Sequence, residues 1–298
     1  TVRMNITKYL QQWSASYKAD LVDNIMPFWM EHGMDYKHGG VYTCLDRDGS
    51  LIDTTKSVWF QGRFGFIAAF AYNNIEKNPE WLAASKSCID FIESYCFDED
   101  GRMYFEVTED GKPLRKRRYV FSECFAVIAM AEYALASGDN SYVHKALELF
   151  KKIQYFITTP GILEPKYCET VHARGHSITM ILINTASCVR KVINDPVLNR
   201  QIDESLETLK RYFIHPEFKA LLETVGENGE FIDTINGRTI NPGHCIETAW
   251  FLLEEAKHRN WGKQLTDTAL TILDWSWEWG WDKEFGGIIN FRDCRNLP

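Results

Sequence analysis

Two kinds of helical segment alternate along this chain, and their alternation is the feature that most constrains its fold. One kind is apolar on nearly every side, in segments that begin at Ser57, Tyr119, His172 and Pro242. The other kind is amphipathic, over 6–31, 79–95, 141–156, 198–213 and 264–277. A helix that is apolar all round must be surrounded by other elements, whereas an amphipathic helix keeps one face in water. The pattern therefore predicts an all-α fold, a toroid with an inner and an outer ring of helices.

Short β-hairpins are predicted at one end of this toroid. Asp48-Gly49 and Asp110-Gly111 are two-residue turns between short runs of strand-forming residues, and a third hairpin region covers 222–239. Strands that come only as hairpin pairs cannot build the parallel sheet that a β/α fold needs. We therefore expect residues 1–298 to form a single α/α-barrel domain.

A sequence repeat relates an early segment of the chain to a late one. The stretch from Gly33 to Val41, with Asp46 five positions further on, recurs as Gly280 to Ile288 with Asp293 at the same spacing. The first copy leads into an apolar helix, whereas the second is followed by the last residues of the sequence. We therefore expect about nine helices of a ring of about twelve, with the C-terminal helices of the ring missing.

Composition excludes several classes of function. A net charge of -8 with both signs interspersed argues against binding to nucleic acid or anionic membranes, which requires a basic face. The basic run at 115–118 is the exception, and a solvated loop or an anion contact near the mouth of a site is favoured there. Eight cysteines without CxxC pairs, and no HExxH motif, predict a reduced protein without a metal site. No signal peptide or spanning segment is evident, so a cytoplasmic location is expected.

The segment from Asn241 to Trp250 brings chemically useful residues onto the first turns of a helix. Asn241 suits the N-cap and Pro242 the first helical position, which places His244 in the first turn and Glu247 beside it. The helix N-terminus favours a neutral imidazole and a neighbouring carboxylate favours a charged one, so the two influences can hold a base near neutral pH. A histidine and a carboxylate that merely cap the helix fit the spacing equally well.

Polar and aromatic residues begin each of the four apolar helices, where an apolar core would not select them. If these ends converge, they form a funnel that offers stacking faces and hydrogen bonds to a polyhydroxylated ligand. Arg63 lies among phenylalanines, and a guanidinium is rarely buried without a partner or a ligand, so a functional role is favoured over a structural pair with Glu123. His176 fits a satisfied core histidine equally well. The predicted substrate contacts are Trp59, Glu123, His176 and Trp250.

Four motifs carry a resemblance to a known family. They are Ser57-Val-Trp-Phe-Gln-Gly-Arg, Phe121-Ser-Glu-Cys-Phe, Asn241-Pro-Gly-His-Cys-Ile-Glu-Thr-Ala-Trp-Phe-Leu-Leu and Gly280-Trp-Asp-Lys-Glu-Phe-Gly-Gly. Together they resemble the N-acylglucosamine 2-epimerase family, whose animal members are also called renin-binding proteins. The resemblance implies an (α/α)6 barrel and interconversion of N-acetylglucosamine and N-acetylmannosamine. It also implies that Arg63 and His244 are essential and that Glu247 neighbours the histidine.

The same resemblance implies a second histidine on a C-terminal inner helix. We expect that histidine beyond Pro298, and we therefore expect residues 1–298 alone to be inactive in epimerisation. Some relatives are activated by ATP without consuming it. Because the sequence has no P-loop, ATP as an allosteric effector would use a different kind of site. The expected partner is a small amino sugar, no cofactor is required, and a homodimer is left open.

The predicted mechanism is removal and return of the proton at C2. Only the open-chain aldehyde makes this proton acidic, and histidine can serve as base or acid at neutral pH. We assign His244 as one acid/base residue, Glu247 as the group that orients or tunes it, and Arg63 as the stabiliser of the enolate oxygen.

Three alternatives stay open at this stage. One is a related sugar isomerase, either a cellobiose 2-epimerase or an aldose-ketose isomerase. The second is an inverting glycoside hydrolase with Glu123 and Glu247 as its carboxylates. The third is a non-catalytic sugar-binding module.

Overall fold

The computed structural model describes residues 5–297, and helices dominate this part of the chain. Nine of its α-helices are eight residues or longer, which is the number that the alternation predicts. In chain order the α-helices are α1 (Ile6–Asp20), α2 (Met26–Phe28), α3 (Val58–Asn74), α4 (Pro79–Tyr95), α5 (Phe121–Ser137), α6 (Asn140–Thr158), α7 (Ser177–Arg190), α8 (Pro196–Thr208), α9 (Ile235–Arg238), α10 (Pro242–His258) and α11 (Lys263–Gly280).

The strands are all short and pair only in antiparallel fashion. They form four two-stranded sheets, β1 with β2, β6 with β9, β7 with β8 and β10 with β11, and one three-stranded sheet in the order β3, β4, β5. Their bounds are β1 (Cys44–Leu45), β2 (Leu51–Asp53), β3 (Lys56–Ser57), β4 (Tyr104–Val107), β5 (Pro113–Lys116), β6 (Ala173–Gly175), β7 (Ile214–His215), β8 (Ala220–Leu221), β9 (Thr224–Gly226), β10 (Thr239–Ile240) and β11 (Arg292–Asp293).

The chain divides into two compact units, Thr1–Leu163 and Glu164–Pro298. In the first unit α3 packs against α4 and α5, and α5 packs against α6. In the second unit α10 packs against α7 and α11, and α7 packs against α8. Every residue of α5 from Ser122 to Ala134 is buried, as expected for an inner helix, whereas α6 buries a single face. The distinction between inner and outer helices is therefore visible in the burial of α5 and α6.

The first helical segment ends at Gly33, as the sequence predicts, and it is irregular. Two π-helical turns, Leu21–Ile25 and Trp29–Gly33, flank the short α2, which contains Pro27. Proline lacks the N–H of an α-helical hydrogen bond, so the wider turns accommodate it without ending the helix. No residue of α1 is buried within the described part of the chain. The apolar stripe on α1 is thus exposed, where the sequence pattern led us to expect a buried face.

Two of the three predicted hairpins are confirmed. β1 and β2 flank the Asp48-Gly49 turn, and β4 and β5 flank the Asp110-Gly111 turn. Gly49 and Gly111 have φ of +87° and +88°, a region that side chains with a Cβ avoid. Both turns therefore have the backbone conformation that makes Asp-Gly a hairpin signal.

The third predicted hairpin, over 222–239, is wrong. β9 in this region pairs with β6, and β10 pairs with β11 near the end of the described chain. The predicted helix from His172 is also shorter than expected, because Ala173–Gly175 form β6 and the helix begins only at Ser177. Pairing between segments distant in the chain leaves no periodic signal that would predict it.

The sequence repeat has a structural counterpart in both copies. Asp35 N donates to Gly40 O and Asp282 N donates to Gly287 O, each over 3.0 Å. In each copy the aspartate Oδ1 also accepts hydrogen bonds from the backbone N–H groups two and three residues later. The two glycines of each copy have positive φ. The repeat therefore encodes one compact turn, used once in each unit.

Most cysteines of the described residues are buried as free thiols. No disulfide joins any of the eight cysteines in the described part of the chain, and six of them are buried. Between residues 5 and 297 no helix has both the length and the apolar character needed to cross a membrane.

Candidate active site

His244 lies in the first turn of α10, as predicted. Asn241 is the N-cap, and its Oδ1 accepts a hydrogen bond from His244 N over 3.1 Å. Pro242 occupies the first turn and is buried. It packs so closely on Gly280 that a Cβ there would lie 2.5 Å from Pro242 Cβ. Capping and packing therefore fix the backbone of this turn, while the His244 side chain remains 37% exposed.

Glu223 is the carboxylate that contacts the His244 ring. His244 Nδ1 lies 2.9 Å from Glu223 Oε1, in hydrogen-bond geometry. The sequence pointed instead to Glu247 as the orienting group, three residues along the same helix. Glu247 is half-buried, and the structure gives it no hydrogen bond or ion pair among the described residues. The orienting contact thus belongs to Glu223, and a catalytic role for Glu247 stays a prediction.

Backbone pairing brings Glu223 to this position. It lies between β8 and β9, its carbonyl oxygen accepts from His176 N over 3.0 Å, and its N–H donates to Thr239 O over 3.2 Å. β9 pairs with β6 directly before His176, and Thr239 begins the strand that leads to the cap of α10. Three chain segments therefore meet at Glu223, and none of them is adjacent to another in sequence.

His176 lies beside Glu223 and His244 in the second unit and is fully buried. Its Nε2 lies 3.1 Å from Thr248 Oγ1, whose hydroxyl donates to His244 O over 2.8 Å. Because the threonine proton is used in that bond, Nε2 is the donor to Oγ1. Nδ1 of His176 lies 3.5 Å from Glu223 Oε1 and, though buried, makes no hydrogen bond within the described part of the chain. We refer to His176, Glu223, His244 and Thr248 as the histidine–glutamate group.

Glu223 is ionised in this environment. Burial raises the pKa of its carboxyl, but the contacts with His176 and His244 have the larger opposite effect and bring the pKa down to about 2. A carboxylate only accepts hydrogen bonds, so the proton in the contact with His244 lies on Nδ1. A neutral His244 ring therefore carries its basic lone pair on Nε2.

In the first unit the predicted ligand residues Trp59 and Arg63 meet around Phe125. The Trp59 ring lies 5.6 Å from the Phe125 ring between centroids, and Arg63 Cζ lies 4.4 Å from the Phe125 centroid. Arg63 is exposed, so the expectation of a buried guanidinium is wrong. It forms no ion pair within residues 5–297, and aromatic stacking holds it in place.

The close approach of α3 and α5 creates this arrangement. A Cβ on Gly62 would lie 2.6 Å from the Phe125 carbonyl carbon, so only glycine permits the observed contact. Gln61 anchors the start of α3 to the preceding turn, since its side-chain amide donates to Val41 O and accepts from Val41 N. Trp59 and Arg63 are thus presented by a helix that is fixed on two sides.

Glu123 is not paired with Arg63. It is fully buried, and its Oε1 accepts from Arg102 Nε over 2.7 Å and from Met103 N over 3.0 Å. The structural alternative that the sequence left open for Arg63 is therefore excluded, because Arg102 occupies this carboxylate. Direct substrate contact by Glu123 stays a prediction. Trp250, the remaining predicted contact, is 54% exposed and lies beside Phe251.

Between residues 5 and 297, two groups of side chains have ligand atoms close enough to hold one cation. In the first, single ligand atoms of His176, Glu223 and His244 lie within 4.8 Å of one another. A metal there would displace the contact between His244 and Glu223. The second group is Asp35, His38 and Glu109.

The second group already contains a positive charge, because the ammonium group of Lys56 binds Asp35. The buried Lys56 ammonium donates to Asp35 Oδ2 over 2.7 Å and to the Glu109 carbonyl oxygen over 2.9 Å. The expectation that the chain binds no metal stays a prediction.

Comparison with known proteins identifies similar enzymes. The family model described as N-acylglucosamine 2-epimerase (GlcNAc 2-epimerase) matches residues 40–298. The N-acylglucosamine 2-epimerase of Rattus norvegicus is 31% identical over 296 residues, which cover 97% of this chain and 70% of the rat protein. The Homo sapiens protein of the same name is 30% identical, with 97% and 69% covered.

A solved structure shares the fold. The cellobiose 2-epimerase from Bacillus thermoamylovorans B4167 superposes with a TM-score of 0.83 at 20% identity, over 95% of this chain and 76% of the other. The predicted fold class, a helical (α/α)6 barrel with short hairpins, is confirmed by this match.

Proposed function

Because the chain belongs to the N-acylglucosamine 2-epimerase family, a family of carbohydrate epimerases, we propose that it interconverts N-acetylglucosamine and N-acetylmannosamine. The proposed reaction removes the C2 proton of the open-chain sugar and returns a proton to the opposite face. The observation that carries the mechanism is the hydrogen bond from His244 Nδ1 to the ionised Glu223.

His244 is the proposed acid/base residue. Since Glu223 holds the proton on Nδ1, Nε2 of the neutral ring removes the C2 proton, and the electrons of the C–H bond move towards the C1 carbonyl. The imidazolium that forms is stabilised by the adjacent carboxylate, which stays ionised throughout. A positioned general base of this kind contributes about 10²- to 10⁴-fold to the rate.

Arg63 is the proposed stabiliser of the enolate oxygen that develops at C1. Its guanidinium is held over Phe125 and is not neutralised by a carboxylate among the described residues. A preorganised positive charge favours the anionic transition state over the neutral aldehyde. Trp59 remains the proposed stacking surface for the sugar. The chemistry requires no cofactor, because the sugar's own aldehyde acidifies C2; ATP as an effector stays a prediction.

The hydrolase alternative is disfavoured by the environment of Glu123. An inverting glycosidase needs two carboxyl groups that reach the substrate and a water molecule. Glu123 is fully buried and bound to Arg102, which leaves it unsuited to exchange protons with a sugar.

Exchange of the C2 hydrogen in deuterated water tests the proposal. Exchange needs a single base, so it reports on His244 independently of the residue that protonates the other face. N-acetylglucosamine is incubated with the protein, and NMR follows loss of the C2 proton. Formation of N-acetylmannosamine by residues 1–298 alone would show that the second acid/base residue lies within them, contrary to the expectation from the sequence. His244→Gln is expected to lower the exchange rate by about 10²- to 10⁴-fold while sugar binding is retained.

His215→Gln is the matched control. His215 Nδ1 also lies 2.9 Å from a glutamate, Glu217, in the same unit but outside the proposed site. This variant should exchange at the wild-type rate. Epimerisation without deuterium at C2 would overturn the mechanism. Sugar binding without any exchange by the wild type would instead identify a binding module, and release of reducing sugar from an oligosaccharide would identify a hydrolase.

A further inference from the structure

The basic run at 115–118 has an uneven charge environment. Lys116 is neutralised, since its Nζ lies 2.8 Å from Asp98 Oδ2 and 2.5 Å from Asp100 Oδ2. Arg115, Arg117 and Arg118 form no ion pair among the described residues. Three positive charges within four residues are therefore left without a negative partner in a chain whose net charge is -8.

Aromatic rings, rather than carboxylates, hold two of these arginines together. Arg117 Cζ lies 4.5 Å and Arg115 Cζ lies 5.4 Å from the centroid of the same Phe105 ring. Glu106 faces Arg115 across the β4–β5 pair, yet the two side chains form no ion pair. A contact between a guanidinium and an aromatic ring does not use the hydrogen bonds of the guanidinium N–H groups.

Two buried donors in this region lack an acceptor. Neither Arg117 Nε nor Trp59 Nε1 has a hydrogen-bond partner among residues 5–297, although both atoms are buried. Trp59 and Arg117 also contact the same two rings, because each lies against Phe105 and Tyr119. Buried N–H groups are nearly always paired in folded proteins, so two orphans around shared rings indicate a missing acceptor.

Hydrogen bonds from Arg102 fix the backbone of the segment that carries Arg117. Arg102 Nη2 donates to the carbonyl oxygens of Arg117, over 3.3 Å, and Tyr119, over 3.0 Å. The same Arg102 side chain is fixed by Glu123 through its Nε. The donors are thus preorganised, which lowers the entropic cost of binding a ligand.

We propose that Arg115, Arg117 and Trp59 form a binding site for a phosphate-class oxyanion, either free phosphate or the phosphate of a hexosamine ester. Guanidinium groups match the oxygen geometry of phosphate and bind it through paired N–H donors. The indole N–H adds a neutral donor, and the half-buried rings of Trp59, Phe105 and Tyr119 can contact a sugar ring. None of these three residues belongs to the histidine–glutamate group. Trp59 is also the proposed stacking surface for the sugar, so its part in this site rests on the same residue as the proposed function, whereas the part of the two arginines does not.

Calorimetric titration of the protein tests the site directly. Inorganic phosphate, glucosamine 6-phosphate and N-acetylglucosamine are titrated separately in a phosphate-free buffer at constant ionic strength. Saturable binding of phosphate is expected, and Arg117→Gln should weaken it about tenfold or more, since a charge-assisted contact is lost. Lys112→Gln is the matched control, because it removes one charge from the same hairpin at a residue already paired with Asp110.

Arg115→Gln is the second variant, since Arg115 is exposed and its loss should not impair folding. It should weaken phosphate binding as well, with an unchanged circular dichroism spectrum. Tighter binding of the sugar phosphate than of phosphate would identify the ester as the ligand, and equal affinities would identify free phosphate. The proposal is overturned if the wild type shows no saturable binding, or if both arginine variants bind like Lys112→Gln.

Discussion

Glu223 shows how much of the site depends on a residue that no local pattern reveals. It contacts His244, 21 residues away, and lies beside His176. Of the two short strands beside it, β8 pairs with the nearby β7, whereas β9, which leads to the contact with His176, pairs with the distant β6. By contrast, the Asn241 cap, Pro242 and the helical position of His244 were predicted correctly, because helix capping depends only on adjacent residues. The sequence favours Glu247 as the partner of His244, because helical spacing can be read from the sequence and strand pairing cannot.

The effect of Glu223→Gln should distinguish positioning from a purely structural role. The substitution keeps the size of the side chain and an oxygen acceptor but removes the charge that stabilises the imidazolium. The exchange rate at C2 should fall by about tenfold or more, and the acid limb of its pH profile should move to lower pH. Glu217→Gln changes the same kind of pair, with His215, and should leave both quantities unaltered. An unshifted profile for Glu223→Gln would refute the electrostatic role.

Glu223 also makes the second unit sensitive to acid. Its carboxyl has a folded-state pKa of about 2, below the ordinary 4.5. A lowered pKa means that the ionised form stabilises the fold above about pH 4.5, and that this stabilisation is lost as pH falls towards 2. The histidine–glutamate group is therefore expected to keep its arrangement throughout the neutral range.

At the scale of elements, the crossing of α3 and α5 determines where Trp59 and Arg63 lie. The inner helices are predicted from their all-round apolar character. The burial of α5 confirms this prediction for α5, whereas α3 keeps Phe60, Ile67 and Phe70 exposed. The distance between α3 and α5 cannot be predicted from the sequence, because it depends on which glycine of α3 lies against the backbone of α5. Gly62 faces the Phe125 carbonyl group, whereas Gly65, one turn further, has its nearest neighbours at 3.4 Å.

Gly62→Ala and Gly65→Ala form a matched pair on this helix. Both substitutions should gain about 1 kcal/mol of helix propensity. Gly62→Ala should nevertheless lower the free energy of unfolding by about 1–3 kcal/mol, because its Cβ must displace Phe125. Gly65→Ala should be neutral or stabilising, since 3.4 Å needs only slight adjustment. Urea denaturation measures both, and equal midpoints for the two variants would contradict the proposed tight crossing.

At the scale of the whole molecule, the all-α class and the number of long helices followed from periodicity, whereas the pairing of the strands did not. Hydrophobic spacing reports which face of a segment is buried but not which distant segment covers it. Lys56 illustrates the difference. It lies in a strand, is fully buried, and binds Asp35 and two carbonyl groups from separate turns.

Lys56→Met should destabilise the protein by about 3–5 kcal/mol near neutral pH, because it leaves Asp35 buried without its main partner. Burial raises the pKa of Asp35, but the contacts with Lys56 and with two backbone N–H groups have the larger opposite effect and bring the pKa down to about 2. The ion pair thus contributes fully above about pH 3.8, and the difference between variant and wild type should shrink as pH falls towards 2.

Lys86→Met is the control for this measurement. Lys86 and Asp90 form an ion pair on α4, with side chains 37% and 52% exposed. Its loss should cost less than about 1 kcal/mol, because water screens exposed pairs. Thermal unfolding at several pH values compares the variants, and a pH-independent loss for Lys56→Met would show that lost packing, rather than charge, dominates.

The repeated turn at Asp35 and Asp282 separates what is encoded locally from what is encoded at a distance. Both copies have the same hydrogen bonds from backbone N–H groups to the aspartate Oδ1. In the first copy a buried lysine binds the other carboxylate oxygen, whereas Asp282 forms no such pair among the described residues. The turn is therefore a self-contained module that needs no cation to close. Lys56 links the first turn to the neighbouring Glu109 carbonyl group. The residues that form the turn are therefore separate from those that join it to the rest of the protein, and the two copies can differ in the second set while keeping the same turn.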